Sequence, residues 1–301
     1  MNYILYMRAS KDDPTCIMYA KDVDDENNDD FEMVSNIDGE IELLEIKEWK
    51  HKWEPEKAKG RRGRAKDYGY VTYKLLKGKE SDSFPDSSFE HKALAIALRQ
   101  WGLRTRDIRF KRLYKESETA DIEVKFQKRE DNHIFKENKH VLAYAYFPNG
   151  RAIGGDMVFN DSIFWSKDGK PRNAHDLLPE TYPDPKTRTT LKTYNLVHVM
   201  LHEGGHALGL QHQEECKECM MYPYYSGKVV LHDDGDRKYL VHGKELPLTK
   251  EAVETYKNSG YIPQPIGMAH DVDRIQSFYG KRTINQRIID YFRRRMLRKW
   301  N

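Results

Sequence analysis

The 301-residue sequence is poor in cysteine and contains no long apolar run. Its three cysteines, Cys16, Cys216 and Cys219, exclude a disulfide framework as the main source of stability, so a hydrophobic core must supply it. The opening MNYILYMRASKDD has too short an apolar run for a secretory signal, and no stretch approaches the ~20 apolar residues of a membrane span. We expect an intracellular or virus-associated protein, with secretion by another route left open.

The sequence also lacks a large excess of one charge, because it contains 51 Lys and Arg residues and 48 Asp and Glu residues, for a net charge of +3. The charges are unevenly distributed, with acids concentrated in 22–32 and bases in 57–66 and 281–299. Such blocks are usually solvated or screen one another. These shifts in composition predict an acidic N-terminal region with a basic linker, a central domain and a basic amphipathic C-terminal helix, over 1–66, 67–280 and 281–301.

The central region combines short alternating segments with a few helical ones. The sequence predicts strands within 68–76, 107–113, 121–127, 140–147 and 156–160, each alternating and rich in residues that favour strands. Helices are predicted within 87–101, 194–210, 249–259 and 269–280, the first with a capping box of Ser87 and Glu90. Several strands after one helix indicate a mostly β sheet with that helix packed on it.

The segment HEGGHALGLQH, residues 202–212, contains three histidines and a glutamate. His202 and His206 are four residues apart and lie on one helix face, so both can bind one ion. Gly209 allows the chain to leave the helix through a conformation that is costly for other residues, bringing His212 round as a third ligand. Three surface histidines are the alternative, but five fixed positions of uncommon residue types seldom coincide by chance.

Three protein ligands leave one coordination position open on zinc, as in catalytic rather than structural sites. We expect one catalytic Zn²⁺, which lowers the pKa of bound water to roughly 7. Glu203, next to the first ligand, is then the general base that takes the proton from the zinc-activated water and passes it to the leaving amine. The sequence therefore predicts a metal-dependent hydrolase.

With this motif the chain resembles the metzincins, and within them the matrixin family of matrix-metalloproteinase-like zinc endopeptidases. The segment CMMYPYY resembles the matrixin Met-turn, and VLAYAYFPNGRAIGGDMVFND resembles the substrate-binding edge strand with its Gly-rich loop. The likeness extends over roughly 68–280. It implies an α+β, zincin-like fold: a twisted mixed sheet of about five strands with the active-site helix and packing helices, plus a small N-terminal region.

The resemblance also implies roles for individual residues. Met221 would be the methionine beneath the zinc site, although Met220 has the usual spacing from His212 and is the alternative. Leu142 and Ala143 would lie on the edge strand that pairs with an extended peptide. The remaining implied roles are a wall of the S1′ pocket, formed by Pro223 and Tyr225, and a hydrogen bond from the last helix to the Met-turn, made by Asp271.

Some matrixin features are missing from the sequence. Matrixins bind a second, structural zinc, but Tyr144 and Val158 stand where two of its histidines are expected, which leaves His133 alone. We therefore expect one catalytic zinc and no structural zinc. Calcium is doubtful, because Asn160 and Ile163 replace acidic ligands; the remaining acidic candidates are Asp156 and Asp161.

The matrixin cysteine-switch pattern is also missing, and Cys16 is the one N-terminal thiol that could cap the zinc. The run RRGR at 61–64 fits either a propeptide processing site or a basic linker, and the linker is the preferred interpretation. Cys216 and Cys219 form a C-x-x-C, for which two exposed thiols in a loop are expected; a redox-sensitive clamp or half of a metal site is the alternative.

The predicted function is a zinc metalloendopeptidase that hydrolyses peptide bonds of extended polypeptides, with a protein or peptide as substrate. The alternative is a catalytically weak zinc-binding structural or interaction protein that binds partners through its basic tail. Within 281–301, apolar residues recur every four positions among arginines. This pattern suits an acidic partner, a nucleic acid or an anionic membrane surface, while packing on the chain itself is the commoner outcome.

Overall fold

The structure is a computed structural model, and it describes most of the central region and parts of both ends. The described residues are 2–8, 18–21, 32–34, 52–59, 65–148, 153–167, 169–213, 216, 219–225, 238–241, 244–247 and 269–284. Cys16, the 61–64 run, the predicted helix at 249–259 and the tail from 285 lie outside these ranges.

Fifteen strands and five α-helices are present in the described residues. The strands are β1 Asn2–Arg8, β2 Met18–Lys21, β3 Glu32–Val34, β4 Lys57–Lys59, β5 Ala65–Leu75, β6 Ile108–Arg112, β7 Ile122–Gln127, β8 Val141–Tyr146, β9 Met157–Asn160, β10 Phe164–Ser166, β11 Arg172–Asn173, β12 Thr190–Leu191, β13 Thr193–Asn195, β14 Lys238–Val241 and β15 Lys244–Pro247. The helices are α1 Ser88–Gly102, α2 His133–Glu137, α3 Ala174–Leu177, α4 Leu196–His206 and α5 Ala269–Tyr279.

The main sheet contains the five strands that the sequence predicts. β5 pairs in parallel with β6 and β7, and β7 pairs in parallel with β9. β8 is antiparallel to β9, with Tyr144 opposite Val158. The predicted α+β fold with a mixed sheet is therefore confirmed.

Two helices pack together and share the main core with this sheet. Trp101 of α1 is fully buried, and its indole Nε1 donates to the carbonyl oxygen of Leu201 in α4 at 2.9 Å. Gly205 lets the two helices approach closely, because a Cβ at that position would lie 3.1 Å from the Trp101 ring. Among the described residues, no helix combines the length and apolarity needed to span a membrane.

The N-terminal region adds four strands to the same sheet. β4 pairs with β5, while β1 pairs with β8 and carries β2 and β3 on its other side. Trp53 also fastens this region to the central domain, because its indole donates to the Ala207 carbonyl at 2.8 Å and its backbone N–H donates to the Tyr279 hydroxyl at 3.1 Å. The expected domain boundary between residues 66 and 67 falls inside β5, so one continuous strand runs across it.

The predicted capping box at the start of α1 is wrong. The Ser87 side chain makes no capping hydrogen bond. Glu90 is fully buried, and its Oε1 instead accepts from the backbone N–H of Ser81 at 3.3 Å. Burial raises the pKa of Glu90 to about 7. The Glu90 carboxylate therefore accepts from Ser81, outside the helix, instead of taking part in a capping box with Ser87.

Candidate metal centre and active site

The active-site helix α4 begins and ends as its sequence requires. The Asn195 side chain caps the start by accepting from the backbone N–H of His198 at 3.0 Å. Beyond the last helical residue, Gly209 has a φ of 96°, a left-handed conformation that suits glycine. Through this turn the chain leaves the helix and returns His212 toward His202 and His206.

The three histidines converge through their Nε2 atoms. Those of His202 and His206 are 3.0 Å apart, and the Nε2 of His212 lies 3.2 and 3.1 Å from them. Zn–N bonds of about 2.0–2.1 Å in a tetrahedron would place ligand nitrogens roughly 3.3 Å apart. In the described part of the chain, these histidines are the set of His, Cys, Asp or Glu side chains close enough to share one ion.

Backbone carbonyls fix the orientation of two of these rings. The Nδ1 of His202 lies 2.8 Å from the Met220 oxygen, and that of His206 lies 2.6 Å from the Leu210 oxygen. A carbonyl can only accept, so each Nδ1 carries the proton and each Nε2 presents its lone pair to the centre. Two lone pairs 3.0 Å apart repel one another unless a cation lies between them, and the Nε2 of His212 faces the same point, so the arrangement fits a zinc ion.

Burial also keeps His202 and His206 in the neutral form that binds metal. It lowers the pKa of His202 to about 4, against the opposing effect of the hydrogen bond to Met220. For His206, burial is again the largest cause, followed by the neighbouring His202 and His212, and together they hold its pKa well below the usual value. Glu203 is fully buried in the same helical turn.

Met220 and Met221 pack beneath the helix. Met221 is fully buried, and a Cβ on Gly205 would collide with its Sδ atom. Asp271 of α5 accepts from the backbone N–H of Met220 at 2.6 Å, and burial raises the pKa of this carboxyl. The structure thus brings Met221, Met220 and Asp271 to the underside of the metal centre.

Cys216 and Cys219 form a disulfide, so the expectation of two exposed thiols is wrong. Cys219 is buried and directly precedes Met220. The backbone N–H of Cys219 donates to the Cys216 carbonyl at 3.0 Å, which closes a tight turn. The C-x-x-C spacing was the sequence signal, but the pairing depends on how the chain turns before Met220.

The residues predicted to bind substrate lie in two places, the segment after the third histidine and the strand β8. The hydroxyl of Tyr225 accepts from the backbone N–H of Asn195 at 2.8 Å, and its ring meets that of His198 at 5.2 Å in an edge-on contact. Pro223, two residues before Tyr225 in the sequence, is buried. Leu142 and Ala143 are buried in β8, whose outer edge is occupied by β1.

Comparison with known proteins decides the family. A family model described as Matrixin matches residues 64–240, more than half of the chain. The chain belongs to the matrixin family. The cofactor of this family is a catalytic zinc ion, and His202, His206 and His212 are the group that can hold it.

Several matrix metalloproteinases are similar to this matrixin over about half of its length. Matrix metalloproteinase-2 of Drosophila melanogaster is 31% identical over 159 residues, 52% of this chain and 18% of the relative. Matrix metalloproteinase-18 of Xenopus laevis is 32% identical over 158 residues, 52% and 27% of the two chains. Interstitial collagenase of Oryctolagus cuniculus is 34% identical over 129 residues, 41% and 22%. The matched segment thus spans about a quarter or less of these relatives.

At the expected structural-zinc positions, this matrixin has an apolar cluster. Tyr144 and Val158 pack with Ile134, Phe135 and Val141. The Tyr144 hydroxyl also accepts from the Asn132 side chain at 2.9 Å. These residues do not fit a second zinc, because they offer no set of ligands for it.

The two acidic candidates for calcium are engaged by protein donors. Asp156 accepts from the backbone N–H of Glu123 at 2.8 Å, and burial raises its pKa to about 6. Asp161 accepts from the Ser81 hydroxyl at 2.8 Å and from the backbone N–H of Asp82 at 3.0 Å. Calcium binding gains no support from this geometry.

Proposed function

We propose that this matrixin is a zinc-dependent endopeptidase that hydrolyses peptide bonds of extended polypeptides. The observation that carries the proposal is the convergence of three Nε2 atoms within 3.2 Å of one another, beside a buried glutamate on the same helix. Zinc, when bound, supplies a Lewis acid that polarises a carbonyl and makes water acidic enough to lose a proton near neutral pH. Hydrolase chemistry is favoured over a purely structural role because Glu203 is retained.

Glu203 is the proposed general base and then the general acid. Its carboxylate accepts a proton from water as the water oxygen bonds to the peptide carbonyl carbon. When the C–N bond breaks, the protonated Glu203 passes that proton to the leaving amine. Burial beside the histidines places the carboxylate in a low-dielectric site, where such transfers are not screened by bulk water.

The other residues have positioning and binding roles in this proposal. Met221 packs under the histidines as the Met-turn residue, since its sulfur rather than that of Met220 lies against Gly205. Asp271 accepts a hydrogen bond from the Met220 N–H and so fixes the backbone of this turn. The fixed backbone keeps the Met220 carbonyl within hydrogen-bond distance of the His202 Nδ1. Pro223 and Tyr225 form the wall of the S1′ pocket, and Leu142 and Ala143 belong to the strand that receives the peptide.

The substitution Glu203→Ala tests the proposal. We expect kcat/KM for a quenched fluorescent peptide to fall by at least about 100-fold, the scale of general acid–base catalysis. Zinc content should not change, because the three imidazoles remain. Glu118→Ala, an exposed glutamate on the surface, is the matched control and should retain wild-type activity. Full activity in Glu203→Ala would refute the assigned role.

A further inference from the structure

The N-terminal strand β1 pairs along the edge of β8 that faces away from β9. The pairing is antiparallel, with Ile4 opposite Tyr146, Leu5 opposite Ala145, Tyr6 opposite Tyr144 and Met7 opposite Ala143. β9 takes the other edge of β8. Both edges of β8 are therefore occupied within this one chain.

This edge adjoins the metal centre. The backbones of β1 and β8 both approach that of α4, the helix of His202 and Glu203, with Cα atoms within 8 Å. Phe147, the residue after β8, places its ring 6.0 Å from the ring of His206. A peptide laid along β8 in place of β1 would therefore run past the metal centre.

One strand edge can accept one partner, because each backbone N–H and C=O along it is used in the ladder. We propose that Asn2–Arg8 is an intramolecular occupant of the substrate edge, which an extended polypeptide must displace before it is cleaved. The inference rests on the proposed function. It assigns the N-terminal strand an autoinhibitory contact. The apparent affinity for substrate is then the intrinsic affinity multiplied by the fraction of molecules in which the edge is free.

Two prolines in β1 test the proposal in the full chain. Successive residues of a strand direct their N–H groups to opposite neighbours, so Leu5→Pro with Tyr6→Pro removes one donor toward β8 whichever residue faces it. We expect kcat/KM for an extended quenched peptide to rise at least 10-fold through a lower KM. Glu32→Pro with Met33→Pro, in the outermost strand β3, is the matched control and should leave kcat/KM unchanged. Equal kcat/KM for the β1 variant and wild type would overturn the proposal.

Hydrogen exchange gives a readout that does not depend on catalysis. Amides of 141–146 should exchange at least 10-fold faster in the β1 proline variant than in the wild type and the β3 control. Equal exchange in all three proteins would mean that β1 does not cover this edge, which overturns the proposal. If no protein cleaves peptide, the proposed function fails, and the exchange rates alone then uphold or overturn the occupancy of the edge.

A reversible cross-link tests the same contact without disrupting the strand. Leu5 and Ala145 are register partners, so Leu5→Cys with Ala145→Cys should form a disulfide that locks β1 on β8. Peptide cleavage should be at least 10-fold slower in the oxidised variant than in the same protein after reduction. The wild type treated identically is the control, because reduction also opens Cys216–Cys219. Undiminished cleavage by the cross-linked protein would contradict the proposal.

Discussion

At the scale of single residues, the metal ligands are easier to predict than the groups that orient them. His202 and His206 follow from their four-residue spacing, which is fixed by helical geometry. The carbonyls of Met220 and Leu210 that accept from their Nδ1 atoms have no sequence signature, since any residue has a carbonyl. Their placement depends on the path of the chain after His206, so the structure was needed to find them.

Glu90 gives a prediction at this scale. Its pKa is raised from 4.5 to about 7, mainly by burial, so the folded state holds its proton more tightly than the unfolded state. The stability that depends on this proton is fully present below pH 4.5 and is lost as the pH rises through 7. Glu90→Gln should therefore be more stable than the wild type at pH 8, by up to about 3 kcal/mol, with little difference at pH 4.5. Urea unfolding at the two pH values measures this.

Glu118→Gln is the control for Glu90→Gln, because Glu118 is exposed. Its stability relative to wild type should be the same at both pH values. A Glu90→Gln variant that differs from wild type by equal amounts at pH 4.5 and pH 8 would show that the Glu90 carboxyl is not the titrating group.

At the scale of elements, apolar packing stabilises the segment around α2, where the sequence predicts that no second zinc binds. Phe135 and Tyr144 meet with ring centroids 5.6 Å apart, and Asn132 caps α2 through the backbone N–H of Phe135. The loss of metal ligands could be predicted from Tyr144 and Val158. The apolar cluster that replaces them could not, because it joins residues from separate elements.

The turn before Met221 gives a prediction at the element scale. The Cys216–Cys219 disulfide closes a loop of four residues, for which loop-closure entropy corresponds to roughly 2 kcal/mol of stability. Cys216→Ser with Cys219→Ser should lower the free energy of unfolding by about that amount, as should reduction of the wild type. Guanidinium unfolding of the oxidised and reduced proteins measures the loss.

Thiol titration of the denatured, unreduced protein is the control for this disulfide. The wild type should show one free thiol, which Cys16→Ser should remove. Three free thiols in the wild type would mean that Cys216 and Cys219 are not joined, and the expected loss of stability on reduction would then have no basis.

At the scale of the whole molecule, the sequence predicts the five strands of the central sheet but not how the N-terminal region joins it. Each central strand has a local alternating pattern, as in Ile122–Gln127 with its alternation of buried and half-buried residues. The pairing of β1 with β8, and the contact of Trp53 with Ala207, join segments far apart in sequence. Neither has a local signal, so a truncated chain beginning at residue 67 would lose part of β5 and all of these contacts.

The zinc content of the purified full-length chain tests the central claim most directly. Elemental analysis should find one zinc per chain in the wild type, and dialysis should leave almost none in His206→Ala, because two imidazoles cannot replace the set of three. A metal-free wild type, or a His206→Ala variant that retains a full equivalent of zinc, would contradict the assignment of the metal centre. Two tightly bound zinc ions per wild-type chain would contradict the conclusion that the apolar cluster replaces the structural site.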